Sequence, residues 1–373
     1  MSSSAAMRVV FHVVGARPNF IKVAPIYRAI AERGVLRQRL IHTGQHYDAQ
    51  MSGVFFSDLR LPTPDVHLGA GSGSHAEQTG KVMMELEKVC ASEKPDLISV
   101  VGDVNSTLAA ALVAAKAQIT LAHVEAGLRS RDRSMPEEIN RILTDRLADL
   151  LLTPSPDADE NLRSEGVEEG RIFFVGNVMI DSLLEFRSKA QSLPTLERLG
   201  LEPRRYAVCT MHRPSNVDEP AIFGGLLEAL GEISRLIPVI FPVHPRTRKM
   251  LCEANGNIRL PASANLRLVE PMGYLEFLSL TSQARLILTD SGGLQEEATA
   301  LDVPCLTLRE NTERPITVTE GTNVVVGTRP ERIIEEAQKV LTGRAKQGRI
   351  PERWDGRAGR RIAEVFERAL ARV

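Results

Sequence analysis

Three carboxylate-bearing stretches follow one another in the first half of this 373-residue chain. Gly102-Asp103 and His123-Val124-Glu125-Ala126-Gly127-Leu128-Arg129 each close an apolar run, and Glu137-Glu138 stands just behind Pro136. Taken singly, each has a plain structural use. Asp103 suits a helix N-cap, and Glu137 complements the dipole of a first helical turn. A carboxylate closing an apolar strand is unusual unless it faces a cleft. A cluster of Asp103, Glu125 and Glu137 is therefore the more economical reading. Crowded carboxylates repel, which raises some of their pKa values, so one can donate a proton while another accepts one. That suits a reaction that removes a proton on one side and delivers one on the other.

Cations and small residues gather elsewhere. Gly15-Ala16-Arg17-Pro18-Asn19 follows the first apolar run and opens a helix carrying Lys22. Arg17 and Lys22 beside a helix N-terminus suit a phosphate. In the second half, His212-Arg213 and His244-Pro245-Arg246 each close an apolar run. Histidine there can be structural, but two such pairs look more like anion contacts. Thr289-Asp290-Ser291-Gly292-Gly293-Leu294 is a strand-to-helix turn of small residues, which invites an anion, although Glu296 and Glu297 follow at once. The Gly-x-Gly-x-x-Gly dinucleotide fingerprint and the Walker phosphate loop are both absent.

The elements that must position these groups are legible as apolar runs alternating with helical patterns. Residues 9–14, 40–42, 97–101, 119–124, 150–153 and 172–175 read as strands of a first half. Residues 207–211, 239–243, 266–269, 286–289, 305–308 and 324–326 read as strands of a second. Helical patterns cover 20–33, 105–116, 139–149, 221–236 and 296–301. The alternation predicts an α/β fold with two Rossmann-like, doubly wound parallel sheets facing a central cleft, with ligands at the carboxyl ends of the strands. The expected division is 1–185 and 186–356. A polar Ser/Pro/Gly stretch at 186–205 is the linker, and a charged amphipathic helix at 357–373 crosses back onto the first half.

Hydrophobic content is 43%, charged content 25% and net charge −1, which offers no field for nucleic acid, so an anionic ligand must be held locally. The scattered Cys90, Cys209, Cys252 and Cys305 form no zinc spacing and point to a reducing, cytoplasmic setting. Apolar runs are strand-sized, so no membrane span is expected.

Together these residues resemble the non-hydrolysing UDP-N-acetylglucosamine 2-epimerases. The likeness rests on Gly15 to Asn19 with Lys22, Thr43-Gly44-Gln45-His46-Tyr47-Asp48, Gly102-Asp103, the stretch from His123 to Arg129, Pro136-Glu137-Glu138-Ile139-Asn140-Arg141, the stretch from Thr289 to Ala298, and Thr312-Glu313-Arg314-Pro315. It implies a GT-B-like architecture with UDP held by the C-terminal domain. It also implies inversion at C2 by anti elimination of UDP through a 2-acetamidoglucal, followed by re-addition, with no cofactor and no metal. Carried over by motif, Asp103, Glu125, Glu137 and His212 are catalytic. Arg17, Lys22, Arg213, His244, Met272, Phe277, Ser291, Gly292, Gly293, Glu297 and Arg314 contact the UDP-sugar. Ser291 to Gly293 would cradle the diphosphate, Glu297 would accept the ribose hydroxyls, and Glu296 would support the helix start. Gln45 and His46 fall where many bacterial members have an effector site, although the segment differs here. A homodimer is expected on the same resemblance. The rivals are an epimerase of a modified UDP-sugar such as a diacetamido-uronic acid, a hydrolysing 2-epimerase, and a glycosyltransferase of the same architecture. A non-catalytic UDP-sugar binder and, lacking its fingerprint, a dehydrogenase stand further off.

Overall fold

The computed structural model describes residues 7–44, 58–253 and 265–371. The chain divides into two units, one holding residues up to Ser182 together with those from Glu352 onward, the other Leu183–Pro351.

The first unit contains seven parallel strands: β1 (Val9–Val14), β2 (Arg37–His42), β3 (Val66–His67), β4 (Leu97–Val101), β5 (Thr120–Val124), β6 (Leu150–Thr153) and β7 (Ile172–Phe174). They lie in the order β3-β2-β1-β4-β5-β6-β7. Every residue of β4 and β6 is buried, which is why these strands read as largely apolar runs, interrupted only by Ser99 in β4 and closed by Thr153 in β6. The order reverses between β1 and β4, which pair in parallel from Val10↔Leu97 to Val13↔Val100. In open α/β sheets, ligands bind beyond the strand ends at such a reversal.

The second unit repeats the plan with six strands: β8 (Ala207–Thr210), β9 (Val239–Pro242), β10 (Leu266–Val269), β11 (Leu286–Thr289), β12 (Cys305–Thr307) and β13 (Asn323–Val325). Their order is β10-β9-β8-β11-β12-β13, so the reversal lies between β8 and β11. The two doubly wound parallel sheets anticipated from the apolar runs are thus present.

Two local features differ from the expectation. The stretch 186–205 is not a plain linker: helix Val178–Gln191 runs into it and the short helix Thr195–Arg198 follows. Phe186 is buried, edge-on to the Tyr274 ring at 6.4 Å. Serine and charged residues on a helix's outer face make such a segment read as polar, although its other face is packed. The two-residue edge strand β3 has little apolar signature, whereas the helix His75–Glu93, absent from the expected helices, carries Val82, Leu86 and Cys90 on one buried face at helical spacing.

The final helix, Ala358–Leu370, buries Ile362, Ala363, Val365 and Phe366 and lies along helix Arg17–Arg33. A Cβ on Gly359 would stand 2.7 Å from the Pro25 carbonyl oxygen, so only glycine permits this approach. Pro25 lacks an N–H, which leaves the Ile21 carbonyl without its helical partner. The Ser182 hydroxyl donates to that carbonyl at 2.6 Å. The Asp181 carboxylate accepts the first N–H groups of the final helix, from Ala358 and Gly359, at 3.1 and 2.8 Å. Burial pushes Asp181 up to about 6, against the pull of those two N–H donors. No described helix is long and apolar enough to cross a membrane.

Candidate active site

In the first unit the loops after β1, β4 and β5 bring the candidate residues together. The turn after β1 is built by Asn19. Its Oδ1 accepts the Gly15 and Ala16 N–H groups at 3.1 and 2.9 Å, and its Nδ2 donates to the Val101 carbonyl at the end of β4, 2.8 Å away. Two amides of this turn are thus already capped. Gly15 is needed for packing, because a Cβ there would lie 2.3 Å from Ser106 Oγ. Arg17 is the first residue of its helix.

Lys22, one turn along, is buried and paired with the equally buried Glu125. Lys22 thus lies beside a carboxylate of the candidate cluster. Glu125 has a left-handed φ of +70°, strained for a non-glycine residue. Such strain persists where the surroundings over-determine the conformation, commonly at functional sites. Gly102 has φ +71°, and a Cβ on it would approach Glu125 Oε2 to 3.3 Å and Lys22 Nζ to 3.6 Å. The pair thus lies directly over the residue preceding Asp103.

The acidic pair after Pro136 separates into two roles. Glu138 is buried and accepts the N–H groups of Ser130 and Arg131 at 2.9 and 2.8 Å, closing the loop ahead of helix Pro136–Leu147. Burial alone would raise its pKa. The two N–H groups and the Arg141 guanidinium outweigh that and hold it below the usual carboxylate range. Glu137 is half-buried, with no polar partner among the described residues. Arg141 reaches from Glu138 to Asp103, and Asp103 remains 29% exposed. Two of the three crowded carboxylates thus carry their own cations, which opposes the mutual repulsion anticipated from their spacing.

Behind them, the buried His123 ring lies between two acceptors: Nδ1 is 2.6 Å from Asp145 Oδ1 and Nε2 is 2.9 Å from the Gly102 carbonyl. Asp145 also accepts from the Gly127 N–H and the Arg129 guanidinium. Burial acts to raise Asp145, and the His123 and Arg129 contacts overcome it, so the carboxyl is held low.

In the second unit, Asp290 at the end of β11 organises the end of β8. Its Oδ2 accepts the N–H groups of His212 and Arg213, each at 2.9 Å, and its Oδ1 lies 2.8 Å from His212 Nδ1. Burial would raise Asp290, but the His212 ring and these N–H groups hold it low. The His212 side chain is 40% exposed, and its ring lies 5.7 Å from that of the exposed His244. Arg213 contacts the Asp290 carbonyl and Glu313. Asp290 was not singled out in the sequence. Its place one residue before Ser291, at a strand end, was the available signal.

Helix Gly292–Ala300 starts behind Ser291, whose side chain makes no capping bond. A Cβ on Gly292 would lie 2.4 Å from Glu313 Oε1. A side chain here would displace the Glu313 carboxylate, which the Arg309 guanidinium binds at 2.7 Å. Gly293 is half-exposed. Glu296 does not merely support the helix start, since it forms a buried ion pair with Arg314 at 2.7 Å. Glu297 is buried with no cation in reach among the described residues. Burial first, and then the Glu296 charge, push it up to about 8. Met272 and Phe277 are half-buried, Met272 just before helix Tyr274–Ser282 and Phe277 on it. Gln45 and His46 lie outside the described residues.

The family model described as UDP-N-acetylglucosamine 2-epimerase matches residues 28–367. The chain is 45% identical over 359 residues to a UDP-N-acetylglucosamine 2-epimerase of Methanocaldococcus jannaschii, covering 95% of this chain and 97% of that one. It is 43% identical over 358 residues to a UDP-2,3-diacetamido-2,3-dideoxy-D-glucuronate 2-epimerase of Pseudomonas aeruginosa, covering 95% and 98%. Among solved structures, the M. jannaschii UDP-GlcNAc 2-epimerase in complex with UDP-GlcNAc and UDP superposes with a TM-score of 0.87 at 43% identity, covering 97% of this chain and all of that one. With strand order, strand-end residues and full-length likeness in agreement, this chain belongs to the UDP-N-acetylglucosamine 2-epimerase family and is an isomerase.

Proposed function

We propose that the chain inverts C2 of UDP-N-acetylglucosamine to give UDP-N-acetylmannosamine, reversibly, by elimination and re-addition. The C1–O bond to UDP breaks and the C2 proton passes to a carboxylate, leaving a C1=C2 double bond. UDP then re-forms the C1–O bond as a proton reaches C2 from the opposite face. The two faces require two groups that differ in protonation at any moment. Asp103, Glu125 and Glu137 are the acid–base candidates. The observation that carries the reading is the buried Lys22–Glu125 pair over Gly102-Asp103, at the reversal point of the first sheet. In this reading the residues up to Ser182 work on the sugar, and Leu183–Pro351 holds the nucleotide. His212, oriented by Asp290, and Arg213 meet the developing charge on the leaving diphosphate. The Ser291 N–H is given to Thr289 Oγ1 at 2.9 Å, so the Ser291 hydroxyl, the amides at Gly292 and Gly293 and the side chains Arg17, His244 and Arg314 complete the anion contacts. Glu297 takes the ribose diol, and Met272 and Phe277 line the nucleotide.

Incubation with UDP-N-acetylglucosamine in deuterated water tests this directly. Deuterium should enter at C2 of both epimers, with UDP still attached. Exclusive release of free sugar and UDP would instead mark a hydrolysing enzyme, and transfer without exchange a glycosyltransferase. The Pseudomonas aeruginosa relative, almost as similar as the M. jannaschii one, supports a second reading in which the sugar is a diacetamido-uronic acid. The same exchange assay run on both UDP-sugars decides between them by relative kcat/KM.

A further inference from the structure

We infer that Arg141 is a positioning residue for the proton transfer, fixing Asp103 as an aimed anion while itself anchored by Glu138. The inference rests on the reading that Asp103 works on the sugar.

Arg141 is 3% exposed and divides its guanidinium between two carboxylates, Nη1 to Glu138 and Nη2 to Asp103. A buried guanidinium needs charge compensation, and one carboxylate would supply it. Glu138 already provides that partner and is itself held by the Ser130 and Arg131 N–H groups. The contact to Asp103 is therefore surplus to neutralising Arg141. Its consequence falls on Asp103, the exposed member of the three. The preceding residue on the helix adds to the grip, because Asn140 Nδ2 donates to the Asp103 backbone carbonyl at 2.9 Å. Helix Pro136–Leu147 thus holds residue 103 by backbone and side chain together.

The chemistry of the side chain limits the role. A guanidinium does not give up its proton in proteins, so Arg141 cannot be the acid or the base. What it can do is set the direction of the Asp103 carboxylate through a rigid planar fork, where lysine would offer only a flexible point charge. The set Glu138, Arg141 and Asp103 carries one net negative charge, and its exposed portion is on Asp103.

The test uses the full chain, with UDP-N-acetylglucosamine as the probe. It measures kcat, KM, deuterium exchange at C2, UDP affinity by titration, and Tm, for the parent, R141M and R141K. Misplacing a reacting group by about 1 Å costs roughly 100-fold in rate, so R141M should lose about that in kcat and exchange. KM and UDP affinity should stay within roughly threefold, a split that marks an interaction made in the transition state alone. R141K, retaining charge without the fork, should recover about tenfold of the loss. A folded R141M with kcat within about twofold of the parent overturns the inference. So does a parallel fall of kcat, UDP affinity and Tm in both variants, which would mark a purely structural arginine. Should R141M fail to fold, R141K decides alone: kcat within about twofold of the parent again overturns it. A parent inactive on every UDP-sugar overturns the proposed function, and this inference with it. An active parent with indifferent variants overturns this inference only.

Discussion

The strand ends of the first unit and those of the second hold buried acids on opposite terms. In the first, Glu125 faces Lys22, Arg141 joins Glu138 to Asp103, and Asp145 meets Arg129 and the His123 ring. In the second, Asp290 is surrounded by donors, whereas Glu297 stands beside Glu296, whose cation Arg314 is already engaged. Both Asp290 and Glu297 are buried, yet one is held low and the other is pushed up to about 8. Burial works in the same direction on each, so the immediate neighbours decide the outcome. On the function proposed above, cations beside Asp103 and Glu125 suit carboxylates that accept a proton from carbon, and Glu297 offers its carboxyl oxygens to the ribose hydroxyls.

The contrast breaks most easily at Lys22. Replacing it by methionine leaves the Glu125 carboxylate buried without its cation. Removing one partner of a buried pair costs about 3–5 kcal/mol, so Lys22→Met should unfold at markedly lower urea. An unchanged midpoint would show that the pair does not hold the site.

Glu297 gives the opposite sign. Its ordinary pKa of 4.5 rises to about 8 in the folded chain, so folding favours the protonated form. The stability linked to this group is complete below about pH 4.5 and is lost as pH rises through about 8. A shift of that size amounts to a few kcal/mol, on the order of 1.4 per unit. Between pH 5 and pH 9 the parent should lose stability that Glu297→Gln largely retains. Equal losses in the two proteins would show that burial beside Glu296 does not raise Glu297. Glu137 defines the small end, since it is half-buried and meets no polar group among the described residues. Glu137→Gln should keep unfolding free energy within about 0.5 kcal/mol. If Glu137 is one of the acid–base groups, the same variant should lower the C2 exchange rate by roughly 100-fold or more. Full exchange activity would remove it from that role.

Much of the frame could be read directly. Strands such as β4 and β6 are buried along their whole length, so they are mostly apolar, and the polar and charged residues that follow them mark strand ends. That placed Asp103, Glu125 and His212 beyond strands before any coordinates. What the pattern could not show was partnership. Asn19 and Val101 are 82 positions apart, His212 and Asp290 are 78, and Asp103 and Arg141 are 38. Nothing in the local residues says which cation meets which carboxylate. The helices within 186–205 went unread for a related reason: the buried face of a polar helix depends on what packs against it.

By itself, the sequence determined the alternation of strand and helix, the two sheets and the residues standing at their ends, because these follow from local periodicity and the exclusion of water from both faces of a parallel strand. Only the tertiary structure decided that Lys22 neutralises Glu125, that Arg141 spans Glu138 and Asp103, and that Glu297 is left beside a like charge. Charge and protonation depend on groups a few ångströms away in space, and the strand orders β3-β2-β1-β4-β5-β6-β7 and β10-β9-β8-β11-β12-β13, which bring them there, are properties of the assembled sheets.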